Sequence, residues 1–351
     1  MSLTNEEKKQ YDRHLLLDEI SENGQLKLKK ARVLIIGAGG LGCPVLQYLT
    51  AVGVGTIGII DDDVVEQSNL QRQILYTIED IEKSKVATAI ERLSKLNPFV
   101  KFDLFQEKLS SKNAIELFQD YDIIVDGSDN FPTRYLANDA AVITNKPLVY
   151  GAIFKFEGQV SVFNYKGSAT YRCLFPSSPD PEDSPNCSEI GVLGVLPGII
   201  GSLQANEVIK MVCGIGNVLS NQLLTYNMLT MQQLVLNYKK NTDIQIKKLD
   251  RDYEYGCGLK IDEYGINRNE LNALKGDYHL LDVREPHERE LHHIGGQHIP
   301  LNDLLERMSE IETDKDVVVY CRAGIRSKKA VELLKQNGFE TTLFYLNDKI
   351  T

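Results

Sequence analysis

A cysteine and an arginine five residues apart, Cys321 and Arg326, close the apolar run "DVVVYC" and lead into the helical pattern "SKKAVELLKQNG". A short loop between a buried strand and a helix turns backbone N–H groups inward. Together with the helix N-terminus and Arg322 or Arg326, that loop would stabilise a thiolate or a persulfide on Cys321. A second thiol, Cys187, follows the Pro- and Ser-rich run "PSSPDPEDSPN". A mobile loop suits a thiol that travels between sites, and an incidental loop cysteine is the alternative.

Far upstream, Gly37-x-Gly39-x-x-Gly42 follows the apolar run "VLII", and the apolar helical pattern Val45, Leu46, Leu49 follows it. Glycines at this spacing allow a tight turn that seats a phosphate on a helix N-terminus. Asp61 ends "TIGIID" about 20 residues on, where a carboxylate reaches a ribose hydroxyl. The fingerprint alone leaves NAD and other nucleotides open. Hydride transfer often uses a histidine or tyrosine relay; His14 is the one histidine before residue 279, although tyrosines are plentiful. The neighbourhood favours a triphosphate. "DDDVVEQSNLQRQ" supplies Asp61, Asp63, Asn69, Arg72 and Gln73, a helix opens with Lys85, and "IIVDGSDNFPTR" places Asp126, Asp129 and Asn130 just past a strand. Two or three cations and a carboxylate able to hold Mg²⁺ are what phosphoryl or nucleotidyl transfer requires.

The elements that would position these residues alternate. "RVLIIG", "TIGIID", "KFDLF", "YDIIVD" and "KPLVYG" are apolar strands separated by helical segments, the rhythm of a mostly parallel sheet wrapped by helices. "EGQVSVFNY" continues as a strand, giving a Rossmann-like α/β fold with an antiparallel extension. Thr4-x-x-Glu7 predicts a capped N-terminal helix carrying Arg13 and His14, and Pro197 sits near the start of a helix that stops at Gly214. The charge-dense run 238–262 is expected to hold a final strand and then a linker. A second alternation follows, "YHLLDV", "DVVVYC", "SKKAVELLKQNG" and "TTLFYL". The expected organisation is a nucleotide-binding domain over 1–250, a linker over 251–262 and a small α/β domain over 263–351.

The chain has 351 residues with 42% hydrophobic content, enough for two globular domains. A net charge of −10 argues against nucleic acid as a partner. The polar start "MSLTNEEKKQYDRH" is unlike a signal peptide, and the most apolar stretch, "GVLGVLPGIIGSLQANEVIKMV", is broken by Pro197, Asn206, Glu207 and Lys210. No membrane span is therefore expected. Six cysteines over this length do not make a disulfide scaffold, so a reducing cytoplasm is the expected compartment.

"YDRHLLL", "GAGGLGCPVLQYLTAVGVGTIGIIDDDVVEQSNLQRQ", "SKV", "DGSDNFPTR", "EGQVSVF", "YRCLF" and "GSLQANEVIKM" resemble the adenylyltransferase family related to ubiquitin-activating enzymes, whose bacterial members serve molybdopterin and thiamine biosynthesis. The likeness spans nearly all of residues 5–240. It implies that ATP occupies the loop of Gly37, Gly39, Gly40 and Gly42, and that the C-terminal Gly-Gly carboxylate of a small ubiquitin-like sulfur carrier attacks the α-phosphate. Position by position, Asp61 would hold the ribose, Asn69, Arg72 and Lys85 the phosphates, and Asp129 the Mg²⁺, with Asp63, Gln73 and Asn130 beside them. Arg13 matches an arginine that reaches into a partner subunit's site, implying a homodimer, and Cys187 matches a cysteine that bonds to the carrier or to sulfur in some members.

Many members hold structural zinc on two Cys-x-x-Cys pairs. Here the pairs read Thr170-x-x-Cys173 and Glu254-x-x-Cys257, so structural zinc is not expected. The second domain, through "LLDVREPHERE", "HIGGQHIPL" and "DVVVYCRAGIRSKKAVELL", resembles the rhodanese family over roughly residues 262–351. Related phosphatases use a loop one residue longer; Cys321-x₄-Arg326 followed by Ser327 favours sulfur over phosphate. Asp282 and Arg284 are expected to brace this domain. The chain stops at "FYLNDKIT", where rhodanese modules usually add a closing helix, which bears on stability and turnover. Together the two halves imply carrier adenylation followed by sulfur transfer from a persulfide protein or thiosulfate. The alternatives are a non-catalytic carrier-binding scaffold and an NAD-dependent oxidoreductase.

Overall fold

The structure, a computed structural model, describes residues 2–177, 191–250, 253, 264–274, 278–322, 324–339 and 341–346. They fall into two compact units, one running to residue 253 and the other from residue 264.

The first unit is an eight-stranded sheet in the order β3-β2-β1-β4-β5-β6-β7-β8. Its parallel part comprises β1 (Arg32–Ile36), β2 (Thr56–Ile60), β3 (Lys101–Phe105), β4 (Ile123–Asp126) and β5 (Leu148–Phe154). β1 and β2 bury all but one of their residues, which is why they read as continuous apolar runs rather than alternations. The chain leaves β1 toward β2 and β3, then crosses to β4 and β5 on the other side. A parallel sheet whose order reverses in this way has a crevice outside the carboxyl ends of the strands flanking the reversal. The antiparallel extension is β6 (Glu157–Phe163), β7 (Gln222–Asn227) and β8 (Gln232–Asn237).

Nine helices are described in this unit: α1 (Asn5–Gln10), α2 (Asp12–Leu15), α3 (Ser21–Lys30), α4 (Gly42–Ala51), α5 (Lys85–Leu96), α6 (Ala114–Gln119), α7 (Phe131–Ile143), α8 (Tyr171–Leu174) and α9 (Val195–Cys213). The predicted cap of α1 is present: the Glu7 N–H donates to Thr4 Oγ1 at 3.1 Å, and the Thr4 N–H donates to the Glu7 carboxylate at 2.7 Å. α9 ends where Gly214 takes a left-handed φ of 75°, as the sequence predicts. α9 packs mainly on α4 and β5, burying Leu196, Ile200, Ala205 and Val208. Each large aliphatic side chain among them contributes about 1.5–3 kcal/mol. At Gly201 a Cβ would lie 2.5 Å from the Leu41 carbonyl, so only glycine lets α9 press against the chain entering α4.

Two expectations are corrected. The charged run after residue 237 carries no strand among its described residues; the sheet ends earlier, at β8. Asn227 forms the preceding turn by accepting the N–H groups of Leu229 and Thr230, so the sheet reverses before the charges begin. Tyr253, placed in the expected linker, is buried in the first unit, and its hydroxyl donates to Asp139 at 2.8 Å.

The second unit is a five-stranded, wholly parallel sheet in the order β11-β10-β12-β13-β9. Its strands are β9 (Gly265–Ile266), β10 (Tyr278–Asp282), β11 (Gln297–His298), β12 (Asp316–Tyr320) and β13 (Leu343–Leu346), with α10 (Arg268–Ala273), α11 (Pro286–Leu291) and α12 (Ile325–Gln336) around them. Val317, Val319, Leu281, Ala330, Val331 and Leu334 share its core. No described helix in the chain is long and apolar enough to cross a membrane.

Candidate functional site

A cleft of about 590 Å³ opens at the strand-order reversal of the first unit. The turn after β1 supplies Gly37, Gly39 and Gly40; the end of β2 supplies Asp61, Asp62 and Asp63; the end of β4 supplies Gly127, Ser128, Asp129 and Asn130. Arg72, Gln73 and Lys85 complete the wall from the β2–α5 connection and the first residue of α5. Four elements far apart in sequence thus converge on one space.

The glycine loop is held by identifiable contacts. Gly37 has φ of 87°, and Gly42 sits so close behind it that a Cβ would fall 2.0 Å from the Gly37 carbonyl. Gly42 therefore makes the turn and does not line the cleft. Asp61 accepts the Ala38 N–H on one oxygen at 2.7 Å and the Asp63 N–H on the other at 2.8 Å. Burial raises its pKa from the ordinary carboxylate value, opposed by Lys85 and by those two N–H groups. Each oxygen retains lone-pair capacity for a ligand hydroxyl. The Tyr76 hydroxyl lies against the carbonyls of Ala38 at 2.8 Å and Lys85 at 3.3 Å, tying loop to helix.

Lys85 is only 5% exposed, and its ammonium is 2.7 Å from Asp63 Oδ2. A buried ammonium needs a counter-charge, and Asp63 supplies it at the cleft wall, where an anionic ligand would share the same cation. The Arg72 guanidinium donates to the Ser68 carbonyl at 3.1 Å. Gln73 is buried, and its Oε1 has no donor among the described residues; an amine or hydroxyl entering the cleft would satisfy it. Asp129 is exposed in the cleft, while Asn130 caps α7 by accepting the Thr133 N–H at 3.0 Å.

Asn69 and Arg13 do not line this cleft. Asn69 is buried in its own turn, accepting the Glu66 N–H at 3.3 Å and donating to Ser68. Arg13 is exposed on α2. Gln71, Ser128, Lys108 and Arg134 are among the wall residues that the sequence did not single out. Ser128 donates its N–H and hydroxyl to the buried Asp126 at 2.9 and 2.6 Å, fixing the turn that presents Asp129. Burial raises the Asp126 pKa, opposed chiefly by Arg134. The signal for Ser128 lay inside "DGSDN"; Lys108 had none, because only the placement of β3 brings it to the cleft.

Of the cysteine pairs, Thr170 and Cys173 are described, whereas Glu254 and Cys257 lie outside the described residues, as does Cys187. Cys173 accepts N–H bonds from Thr170 and Asn241, each at 3.4 Å. Burial pushes its pKa up, but these donors and the Thr170 hydroxyl outweigh burial and hold the thiol below its ordinary value.

In the second unit Cys321 is 2% exposed at the end of β12. The Gly324 N–H donates to its Sγ at 3.1 Å, from a left-handed residue (φ 87°) that opens α12, and Ser327 Oγ stands 3.4 Å away. This is the inward-facing loop the sequence predicted. Of the two arginines, Arg326 pairs with Glu288, at 2.6 and 2.7 Å, and Arg322 is exposed. Asp282 and Arg284 brace the unit as expected, joined by two hydrogen bonds of 2.9 and 2.8 Å, with Arg284 donating on to the His292 carbonyl.

A model described as "ThiF family" matches residues 11–246, and one described as "Rhodanese-like domain" matches residues 267–350. A probable adenylyltransferase/sulfurtransferase MoeZ of Mycobacterium tuberculosis is 41% identical, over 96% of this chain and 91% of that protein. A sulfur carrier protein adenylyltransferase of Thermus thermophilus is 47% identical over 74% of this chain and all (100%) of its own length. The adenylyltransferase and sulfurtransferase MOCS3 of Anopheles gambiae is 39% identical over 95% of this chain and 82% of its own. Among solved structures, Escherichia coli MccB with MccA-N7isoASN shares the fold at a TM-score of 0.61 and 21% identity, over 68% of this chain and 74% of that one.

Proposed function

Because the chain belongs to the ThiF family and ends in a rhodanese-like domain, we propose that each unit carries one of two consecutive steps. The protein is an adenylyltransferase and sulfurtransferase that acts on a sulfur carrier. In the first step a carboxylate oxygen at the C-terminal glycine of a small ubiquitin-like carrier attacks the α-phosphorus of ATP. The bond to the bridging oxygen breaks, and pyrophosphate leaves with that electron pair. An acyl-adenylate remains. In the second step sulfur stored on Cys321 as a persulfide attacks the acyl carbon and AMP leaves. A thiol then attacks the Cys321 sulfur of the remaining S–S bond, the thiocarboxylate leaves with the electron pair, and a second thiol reduces the resulting disulfide to free Cys321.

The observation that carries this reading is the convergence of the glycine loop, Arg72, Lys85, Asp61 and Asp129 on one cleft. The residues fit the nucleotide. A Cβ at Gly39 would point at Gln73 Nε2, 3.6 Å away, so the missing side chain leaves the cleft open to a phosphate. The acceptor on Gln73 suits an exocyclic amine or a ribose hydroxyl, and Asp61 suits the ribose. Lys85 and Arg72 neutralise charge that builds on the phosphates, a contribution of several kcal/mol when preorganised in a dry site. Asp129 and Asp63 offer hard oxygen ligands that suit Mg²⁺, which would withdraw charge from the phosphate oxygens. Arg13, exposed and away from this cleft, serves the cleft of a second copy in a homodimer. Cys187 is the proposed relay thiol.

The test is carrier-dependent exchange of labelled pyrophosphate into ATP. Asp129→Ala is expected to remove most of it, because losing a metal clamp costs roughly several kcal/mol of transition-state stabilisation. Exchange by Asp129→Ala as fast as by wild type would overturn the metal assignment.

A further inference from the structure

The connection that follows β3 forms one side of the nucleotide cleft, and a single side chain holds it. Glu107, Lys108 and Leu109 line the cleft just past the carboxyl end of β3. Asn113, immediately before α6, commits its whole amide to this stretch. Its Oδ1 accepts the Ser110 N–H at 2.8 Å and the Ser110 hydroxyl at 3.2 Å. Its Nδ2 donates to the Glu107 carboxylate at 2.9 Å and to the Lys108 carbonyl at 3.0 Å. A side-chain amide has two acceptor and two donor positions, so all of them are used. The orientation is fixed as well, since a flipped amide would set donor against N–H and acceptor against carbonyl.

We propose that Asn113 is a positioning residue for nucleotide binding: it fixes residues 107–110 as the wall against which the base of the nucleotide lies. The inference rests on the nucleotide reading above and extends it to the base.

The order of the strands decides which part of the ligand meets this wall. Along their carboxyl ends the sheet runs β4, β1, β2, β3. The turn after β4 presents Asp129, the turn after β1 presents the glycine loop, and Asp61 follows β2. Phosphates on the glycine loop and a ribose on Asp61 leave the base to continue in the same direction, onto the next strand end. That end is close. β2 and β3 pair in parallel through Ile60 and Phe105, and the Asp61 N–H donates to the Phe105 carbonyl at 3.2 Å. Neighbouring strands lie about 4.8 Å apart, so one strand spacing leads from Asp61 to the wall. The surface there suits a flat ring: Leu109 is buried in one apolar cluster with Ile36 and Ile60, and all three line the cleft.

The wall needs a separate support because residues 106–110 belong to no strand or helix, so no ladder of backbone bonds fixes them. Leu109 roots the segment in the core, and Asn113 ties the chain on either side of it, at Lys108 and at Ser110. A wall already in place binds without an ordering cost. Where the Asn113 bonds are missing, the chain must be ordered by the ligand, and affinity falls.

The test separates the two ends of the nucleotide. Full-length protein is titrated calorimetrically with adenosine, which carries the base and ribose, and with the magnesium complex of inorganic tripolyphosphate, which carries neither. In Asn113→Ala the Kd for adenosine is expected to rise about tenfold, while the Kd for tripolyphosphate stays within about twofold of wild type, because Arg72, Lys85 and the glycine loop are untouched. Asn113→Asp keeps an acceptor for Ser110 and loses the two donated bonds. A carboxylate at a helix start is well tolerated, so this variant should melt near wild type and still lose adenosine affinity to a similar extent. It therefore decides the question even if Asn113→Ala folds poorly. A merely structural role would weaken both probes together. That result, a loss confined to tripolyphosphate, or unchanged adenosine binding in either folded variant overturns the proposal. A wild-type chain that binds neither probe overturns the nucleotide reading and the proposal with it; a wild type that binds both, with variants that match it, overturns the proposal alone.

Discussion

Gly42 and Gly39 belong to one motif but are expected to fail in different ways when replaced by alanine. A Cβ on Gly42 would sit 2.0 Å from the Gly37 carbonyl oxygen and 2.9 Å from its carbon, both backbone atoms that cannot rotate away. The loop must open, so Gly42→Ala combines overpacking with displacement of a turn that Asp61 and Tyr76 also hold. Overpacking of this kind costs about 1–3 kcal/mol. At roughly 2–4 °C per kcal/mol for a unit of this size, melting should fall by several degrees. Gly39 has no such obstacle: the nearest atom to its Cβ is Gln73 Nε2 at 3.6 Å, an ordinary contact, and its φ is not left-handed. Gly39→Ala should therefore change stability by no more than about 0.5 kcal/mol. Its methyl group nevertheless occupies the cleft, so KM for ATP should rise roughly tenfold, about 1.4 kcal/mol of lost binding. Circular-dichroism melting and pyrophosphate exchange over a range of ATP concentrations measure the two effects separately. The reasoning is refuted if Gly42→Ala melts with wild type, or if Gly39→Ala melts lower while its KM for ATP stays unchanged.

The second unit should be acid-sensitive through Asp282. Burial works against the Asp282 carboxylate, but its hydrogen bonds to Arg284 prevail and hold its pKa below the ordinary 3.8. A depressed carboxyl pKa contributes stability that is complete above the unfolded value and is lost as pH falls through the folded one. Asp282→Asn should destabilise this unit by about 3–5 kcal/mol at neutral pH, since it strands a buried guanidinium, and the difference should shrink below about pH 4; a pH-independent difference in guanidinium melts would contradict this. Metal analysis of purified protein should find far less than one zinc per chain, with melting unchanged by chelators, because Thr170 and Cys173 satisfy each other and Asn241. Stoichiometric zinc would refute it.

The sheet was legible where burial dictates composition. β1, β2 and β4 are buried so completely that their apolar runs stand out, and the motifs following them fall at carboxyl ends because a parallel sheet aligns those ends. β8 is exposed along its whole length, so it carries no alternation, and the sheet was expected to end later. In the cleft, residue types were legible but their pairings were not. Lys85 reads as a phosphate ligand from its place at a helix start; that it rests on Asp63 depends on two elements meeting. Arg326 shows the same limit more sharply. Its partner lies 38 residues upstream on another helix, and nothing in Cys321-x₄-Arg326 signals that the arginine pairs with Glu288. Asn69 looks like a ligand by spacing and serves its own turn, because a short polar side chain satisfies nearby backbone first.

The central claim is that adenylation belongs to the first unit and sulfur storage to Cys321 in the second. Mass spectrometry after treatment with a persulfide donor or thiosulfate, run beside carrier-dependent pyrophosphate exchange in Cys321→Ser, tests it directly. Wild type should gain the mass of one sulfur atom on the Cys321 peptide. Cys321→Ser should gain none and make no thiocarboxylate, since a hydroxyl neither ionises to a comparable nucleophile nor stores sulfane sulfur, yet it should exchange pyrophosphate at the wild-type rate. A Cys321→Ser protein that still converts the carrier to its thiocarboxylate, or a wild type that does so without sulfur ever appearing on Cys321, would contradict the account.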